Sequence, residues 1–232
     1  MHEAGYRGYI ARKKPLIKDS NRWKRMLWVR QHWLKPKQFW DSILWSDESK
    51  FNLFGSNGRQ IVWRQTNESM KRECLKPTVK CGGGSVMVWD CMAASGVGNL
   101  VRVDGTMNRE QNEKILTENV KQSAKILKCN HLFSSKIMTR NTAKTISQWF
   151  VKNQINTLKW PAQSPDLNPI EHAWDELERR MKRHSPKNKE ELWMILKKEW
   201  KGIGRDVTSR LVNSMSKRFQ EVMKHRGGPM RY

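Results

Sequence analysis

The sequence predicts an α/β fold in which helices flank a mixed β-sheet and a basic helical tail ends the chain. Three observations support this class. Short apolar runs typical of strands dominate the first half, helical periodicities alternate with weaker strands after residue 108, and only helices are predicted after residue 169. A chain that starts with strands, then alternates, then ends in helices favours a mixed sheet covered by helices.

The predicted strands are apolar runs bounded by glycine, proline or polar clusters. They lie at residues 42–46, 51–54, 60–64, 85–92 and 99–103, with weaker candidates at 132–138 and 155–160. Residues 85–92 form the most apolar run and predict a buried strand.

The predicted helices have apolar side chains at intervals of three and four residues. They lie at residues 21–33, 108–127, 142–153, 169–183, 189–200 and 206–225. Four tryptophans between residues 23 and 40 (Trp23, Trp28, Trp33 and Trp40) could stack nucleic-acid bases. Packing in the core is the more frequent role of such a set, and we predict it here.

Charge is the first indication of function. The 232 residues include 45 Lys and Arg against 22 Asp and Glu, a net charge of +23. A polyanion is the natural partner for such a chain, and nucleic acid is the commonest one. The alternative is a solvated basic surface without a partner. With no apolar run of about 20 residues and no signal peptide, we expect an intracellular protein that does not enter membranes.

Four acidic residues occupy positions from which they could act together. Asp47 and Glu48 follow the first apolar run, and Asp166 and Glu171 lie where a polar loop becomes a helix. A carboxylate at a strand end and another at a helix start can meet over a sheet edge and bind a divalent metal ion. The spacing is equally compatible with Asp47 in a turn and Asn168 as a helix cap.

Three sequence blocks resemble one known protein family. They are LWSDESKFNLF at 44–54, PTVKCGGGSVMVW at 77–89 and WPAQSPDLNPIEHAW at 160–174. All three, in this order, are similar to blocks of the Tc1/mariner DNA transposases, and the resemblance runs from about Gly5 to Tyr232.

The resemblance implies a ribonuclease H-like catalytic domain, which we place at residues 41–202. Two aspartates and a glutamate of that family bind two Mg²⁺ or Mn²⁺ ions and cut and join DNA. Asp47 matches the first aspartate and Glu171 the glutamate. Residues 1–40 would be the basic linker and helix that follow a missing helix-turn-helix region, and 203–232 a basic C-terminal helix. DNA in the nucleus is the expected partner, bound without sequence preference, and a homodimer stays open.

The position of the second aspartate departs from the family. The 34-residue spacing before Glu171 places it at Lys136. A +1 group replaces a −1 ligand there, and unit charges 4 Å apart interact by about 4 kcal/mol at an effective dielectric near 20. We therefore expect impaired catalysis. Asp90, where the family usually has glycine, is a candidate for a substitute ligand, and His172 is a candidate for a further residue near the site.

The alternative is a non-enzymatic nucleic-acid-binding protein that keeps only the fold and the basic surface. The residue at position 136 discriminates between the two, because an active enzyme of this family needs a carboxylate there.

Overall fold

The structure is a computed structural model that describes residues 16–53, 63–71, 74–75, 83–105, 111, 114–129, 131–134, 150–153 and 156–230. For residues 131–134 and 156 the description covers the backbone. Within these ranges no helix is both long and apolar enough to span a membrane.

A mixed β-sheet forms the centre of the molecule, as predicted. Its strands are β1 Ile43–Asn52, β2 Ser85–Ala93, β3 Gly96–Val97, β4 Val101–Val103, β5 His131–Ser134 and β6 Asn156–Thr157. Their order is β3-β2-β1-β5-β6, and β4 pairs with β2. The central strand β1 is antiparallel to β2 and parallel to β5. Because β1 pairs with one edge of β2, strands β3 and β4 both pair with its other edge, one after the other.

The central strand is longer than predicted. The two short strands expected at 42–46 and 51–54 are one ten-residue strand. It pairs with β2 without interruption from Trp45 opposite Met92 to Asn52 opposite Ser85. The polar residues between the two apolar runs resembled a break in the sequence, but backbone pairing does not depend on side-chain polarity. The strand predicted at 60–64 falls mostly outside the described residues, and residues 63 and 64 are not in a strand.

Helices cover the sheet. They are α1 Asp19–His32, α2 Lys37–Asp41, α3 Lys121–Leu127, α4 Pro169–Met181, α5 Lys189–Lys201, α6 Arg205–Asn213 and α7 Met215–Lys224. A π-helical turn, Leu116–Val120, leads into α3. The single helix predicted at 206–225 is wrong, because Ser214 separates α6 from α7. Its hydroxyl donates to the Leu211 carbonyl and accepts from Arg218, so side-chain bonds define this corner.

The core has two layers, one on each face of the sheet. On one face Ile43, Trp45, Val88 and Met92 pack against α1, α2 and the helices from α4 onward. On the other face Leu44, Trp89, Cys91 and Ala93 pack against α3 and the π-helical turn. Alternate residues of a strand point to opposite faces, and both strands follow this rule.

Both ends of the described chain contribute to the larger layer. Trp28 of α1 and Phe219 of α7 have ring centroids 5.5 Å apart in an edge-to-face arrangement. The predicted core role is confirmed for Trp28 and Trp40, whereas Trp23 and Trp33 remain 62% and 46% exposed. The segment boundaries at residues 40 and 202 stay predictions.

Candidate catalytic site

Asp47 lies in the middle of the central strand and is fully buried. Its Oδ1 accepts a hydrogen bond from the backbone N–H of Glu48 at 2.9 Å. Strand alternation places it on the same face as Ile43 and Trp45, which is the face covered by α4. Asp47 is thus a strand residue, and the turn expected as an alternative is wrong.

Glu171 lies in the first turn of α4 and is half-buried. The helix begins as the sequence predicts, with Asn168 Oδ1 accepting from the Ile170 N–H at 3.4 Å and proline at the first helical position. Helix α4 packs on β1, where the ring centroids of Trp174 and Phe51 are 6.2 Å apart. The fold therefore brings the helix that carries Glu171 onto the strand that carries Asp47.

Asp166, the third acidic candidate, is engaged elsewhere. Its two carboxylate oxygens accept from Nη1 and Nη2 of Arg25, each at 2.6 Å. The Met230 backbone N–H adds a bond to Oδ2 at 3.2 Å. Both side chains of the ion pair are buried. The structure thus gives Asp166 the role of joining α1 to the loop before Glu171.

A second buried arginine lies beside this loop. Arg218 of α7 is 6% exposed, donates Nε to the Ser214 hydroxyl at 2.9 Å, and donates Nη1 to the Asp166 carbonyl. Burial lowers the pKa of Arg218 to about 10, against the opposing pull of nearby carboxylates that include Glu171. The guanidinium stays charged at neutral pH and places a cation near Glu171.

His172 is half-buried next to Glu171 in the sequence. Burial, and then the charge of Arg218, lower its pKa to about 4. The imidazole is therefore neutral at physiological pH. Sequence reasoning missed Arg25 and Arg218, because their contacts with this loop are remote in the chain.

Asp90 lies directly opposite Asp47 in the β1–β2 ladder and is fully buried. Its Oδ1 accepts from the Cys91 backbone N–H at 2.5 Å, and Gly98 approaches so closely that an added Cβ would lie 2.6 Å from this oxygen. Burial raises the pKa of Asp90 well above its usual range, despite the hydrogen bonds that favour the carboxylate. Asp90 is thus enclosed in the core, where burial favours its protonated form.

Metal binding can be judged from the donors present. In the part of the chain that the structure describes, no group of three or more His, Cys, Asp or Glu side chains could hold a metal ion. Asp47, Asp90 and Glu171 are all described, so Asp90 does not complete a site with the other two. Lys136 lies outside the described residues. Carboxylates have the right chemistry for Mg²⁺, but this pair alone does not form a two-ion centre.

Comparison with known proteins decides the family. Residues 42–193 match the sequence profile of the DDE superfamily endonucleases. The chain belongs to this family. It is similar to the Tcb1 transposase of Caenorhabditis briggsae, with 40% identity over 100% of this chain and 85% of that protein. The Tc1 transposase of Caenorhabditis elegans is 39% identical over the same shares.

Solved structures of a mariner transposase share the DDE fold. A pre-cleavage Mos1 transpososome superimposes with a TM-score of 0.80 at 14% identity, over 99% of this chain and 70% of that one. The Mos1 catalytic domain bound to raltegravir and Mg superimposes with a TM-score of 0.69 at 13% identity, over 94% and 100%. The ribonuclease H-like fold class and the Tc1/mariner resemblance are both confirmed. The protein is transposase-derived.

Proposed function

We propose that this transposase-derived protein binds DNA through its phosphates and has lost the strand cleavage of its family. The observation that carries the proposal is the charge of the chain, +23, combined with lysine where the family pattern requires the second aspartate. The first property supports binding, and the second opposes catalysis.

Exposed basic side chains provide the binding surface. Many lie between the end of α4 and the end of α5, where the exposed set is Lys182, Arg183, Lys187, Lys189, Lys197, Lys198 and Lys201. Over residues 179–232 there are 16 Lys and Arg against 5 Asp and Glu. Phosphate contacts from such side chains release condensed counterions and require no base-specific groups. We therefore expect affinity for DNA without a strong preference for sequence.

In an active family member, Mg²⁺ or Mn²⁺ ions would activate the attacking oxygen and stabilise the leaving one. In this chain Asp47 and Glu171 are the residues that would hold an ion. Asp47 is fixed by the central strand and by the N–H of Glu48. Glu171 is positioned by the capped start of α4, near the guanidinium of Arg218. Two carboxylates without the third leave the pair able to bind one ion weakly, and Lys136 would repel a second.

The competing function is that of an active enzyme that cuts DNA strands. It requires that a carboxylate other than the family's second aspartate supply the missing ligand. Asp90 does not meet this requirement, because burial favours its protonated form and it forms no metal-binding group with Asp47 and Glu171, all three being described residues.

Salt dependence tests the binding half of the proposal. The affinity for duplex DNA, measured by fluorescence anisotropy at several salt concentrations, should fall with a log–log slope of about −5 if six phosphates are contacted. Scrambled and transposon-derived duplexes should bind equally. Salt-independent binding, or strong preference for one sequence, would contradict the proposal.

A location in the nucleus follows from the same proposal, and the oligomeric state is a separate property. A protein whose partner is chromosomal DNA acts in the nucleus, and a fluorescent fusion would test this directly. Sedimentation of the purified chain distinguishes a monomer from a homodimer. A protein excluded from the nucleus would remove the cellular basis for DNA binding.

A further inference from the structure

A cavity of about 270 Å³ lies where the α1–α2 connection meets the α6–α7 corner. Val212, Met215, Phe219 and Trp40 supply its floor, and all four are buried in the core. A floor made of core side chains is held rigid by close packing. The cavity is therefore preformed.

The wall of the cavity is an exposed aromatic ring. Trp33, at the end of α1, is 46% exposed although it lies against Phe219 with ring centroids 6.3 Å apart and planes at 26°. Trp40 meets the same Phe219 ring edge-on, at 5.4 Å and 78°. The Trp33 indole is thus supported from one side by the core ring of Phe219, while part of its surface faces solvent. Such a ring is suited to stack a planar ligand.

The mouth of the cavity is basic. Lys35 and Lys37 line it and are exposed, and none of the described residues that line the cavity is acidic. Lys37 pairs with Asp41 on the next turn of α2, while the Lys35 ammonium lies 5.0 Å from the centre of the Phe39 ring. Ser216 and Asn213 add polar groups to the lining.

We propose that this cavity binds one unstacked nucleobase of single-stranded DNA. The base stacks on Trp33, the adjacent phosphates contact Lys35 and Lys37, and Ser216 and Asn213 offer hydrogen bonds to its edge. Single-strand binding sites combine these two elements, an aromatic platform and a cationic rim. The volume of the cavity is below the roughly 300–1,000 Å³ of pockets for drug-sized ligands, which favours a single ring system. The inference rests on the proposed DNA binding.

The charge of the mouth argues for this occupant. A neutral apolar side chain of a protein partner would contact the aromatic wall but would make no favourable interaction with the two lysines. A nucleotide uses both, because it joins a flat apolar ring to a negatively charged phosphate. The net charge of +23 acts in the same direction over the whole surface.

Two single-stranded probes separate stacking from phosphate contact. One is a fluorescein-labelled oligothymidylate, and the other is a base-free deoxyribose-phosphate oligomer of equal length. Replacing Trp33→Ala should weaken oligothymidylate binding about tenfold, which corresponds to one stacked base. Binding of the base-free oligomer should not change. Replacing Trp33→Phe should restore most of the affinity, because a smaller aromatic face remains.

Trp23→Ala is the matched control. Trp23 is within α1 and is 62% exposed, but it does not line the cavity. Its removal should leave both affinities unchanged, and thermal unfolding should verify that the variants at both positions remain folded. Replacing Lys35 and Lys37 together by alanine should reduce the salt slope by about 1.4, the single-strand value for two phosphates.

The outcomes also separate this inference from the proposed function. If Trp33→Ala binds oligothymidylate like the unmodified protein, or loses affinity equally for both probes, base stacking in the cavity is wrong while DNA binding stands. If Trp33→Phe binds no better than Trp33→Ala, aromatic stacking is also wrong. If the unmodified protein binds neither probe nor duplex DNA, the proposed function itself fails.

Discussion

Arg25 and Asp166, 141 residues apart in the chain, form a buried ion pair in which both carboxylate oxygens accept from the guanidinium at 2.6 Å. Arg25 also donates to the carbonyls of Gly227 at 3.0 Å and Gln163 at 3.0 Å. One side chain therefore joins three segments: helix α1, the loop before Glu171, and the C-terminal segment at 226–230. The Asp166 turn in this junction leads directly into the first turn of α4.

Breaking the pair from one side should strongly destabilise the fold. Arg25→Met leaves the Asp166 carboxylate buried without its partner, and such losses cost about 3–5 kcal/mol. Urea unfolding of the purified variant measures the difference. Arg179→Met is the control, because Arg179 is 62% exposed in its bond with Glu176 and such pairs contribute about 0–1 kcal/mol. Equal effects of the two substitutions would show that the buried pair has no special role.

Gly227 should be intolerant of any side chain. Its φ of 77° lies in the left-handed region, and an added Cβ would lie 2.2 Å from the carbonyl oxygen of Arg22. Gly227→Ala combines backbone strain with a clash against backbone and should cost roughly 2–4 kcal/mol. Gly105→Ala is the matched control, with φ 73° and nothing within 4 Å of the added Cβ. Thermal unfolding of both variants measures their losses of stability. The smaller loss expected for Gly105→Ala is due to backbone strain alone, so the difference between the two variants is due to the clash.

Asp90 should make stability fall as pH rises. Burial raises the pKa of Asp90 in the folded state above its unfolded value of about 3.8. Between the two pKa values the folded state binds more protons than the unfolded state, so the free energy of unfolding decreases with pH there. Below the unfolded pKa both states are protonated and this loss is absent.

The isosteric variant Asp90→Asn removes this titration. Its free energy of unfolding should decline less than that of the unmodified protein between acidic and alkaline pH. Chemical unfolding at a series of pH values gives both curves. Parallel curves for the two proteins would mean that Asp90 is ionised in the folded state.

The sequence predicted the features that local patterns encode. The buried strand at 85–92, the cap at Asn168 and the start of α4 follow from apolar runs and capping residues, and the structure has all three. The α/β class follows from the order of these elements. The family blocks located Asp47 and Glu171 as candidate ligands, and the structure places them on elements that pack together.

The remainder depends on contacts between distant residues. No local pattern distinguishes Asp166, which is bound to Arg25, from Glu171, since both are acids in the short segment where the loop becomes α4. The division of the last helix at Ser214 depends on its bonds with Leu211 and Arg218. The continuity of β1 through its polar middle depends on the partner strand β2. In each case the deciding interaction is a contact between distant residues, or a side-chain hydrogen bond that the local sequence pattern does not specify.

Metal-dependent plasmid nicking, with the unmodified protein beside Lys136→Asp and Asp47→Ala, tests the loss of catalysis most directly. The unmodified protein should not nick DNA with Mg²⁺ or Mn²⁺, because two-ion catalysis needs the missing carboxylate. Calorimetric titration with Mn²⁺ should show tighter binding to Lys136→Asp, since the substitution removes a cation and adds a ligand. Nicking by the unmodified protein that disappears in Asp47→Ala would contradict the account, because another carboxylate would then have taken the place of the second aspartate.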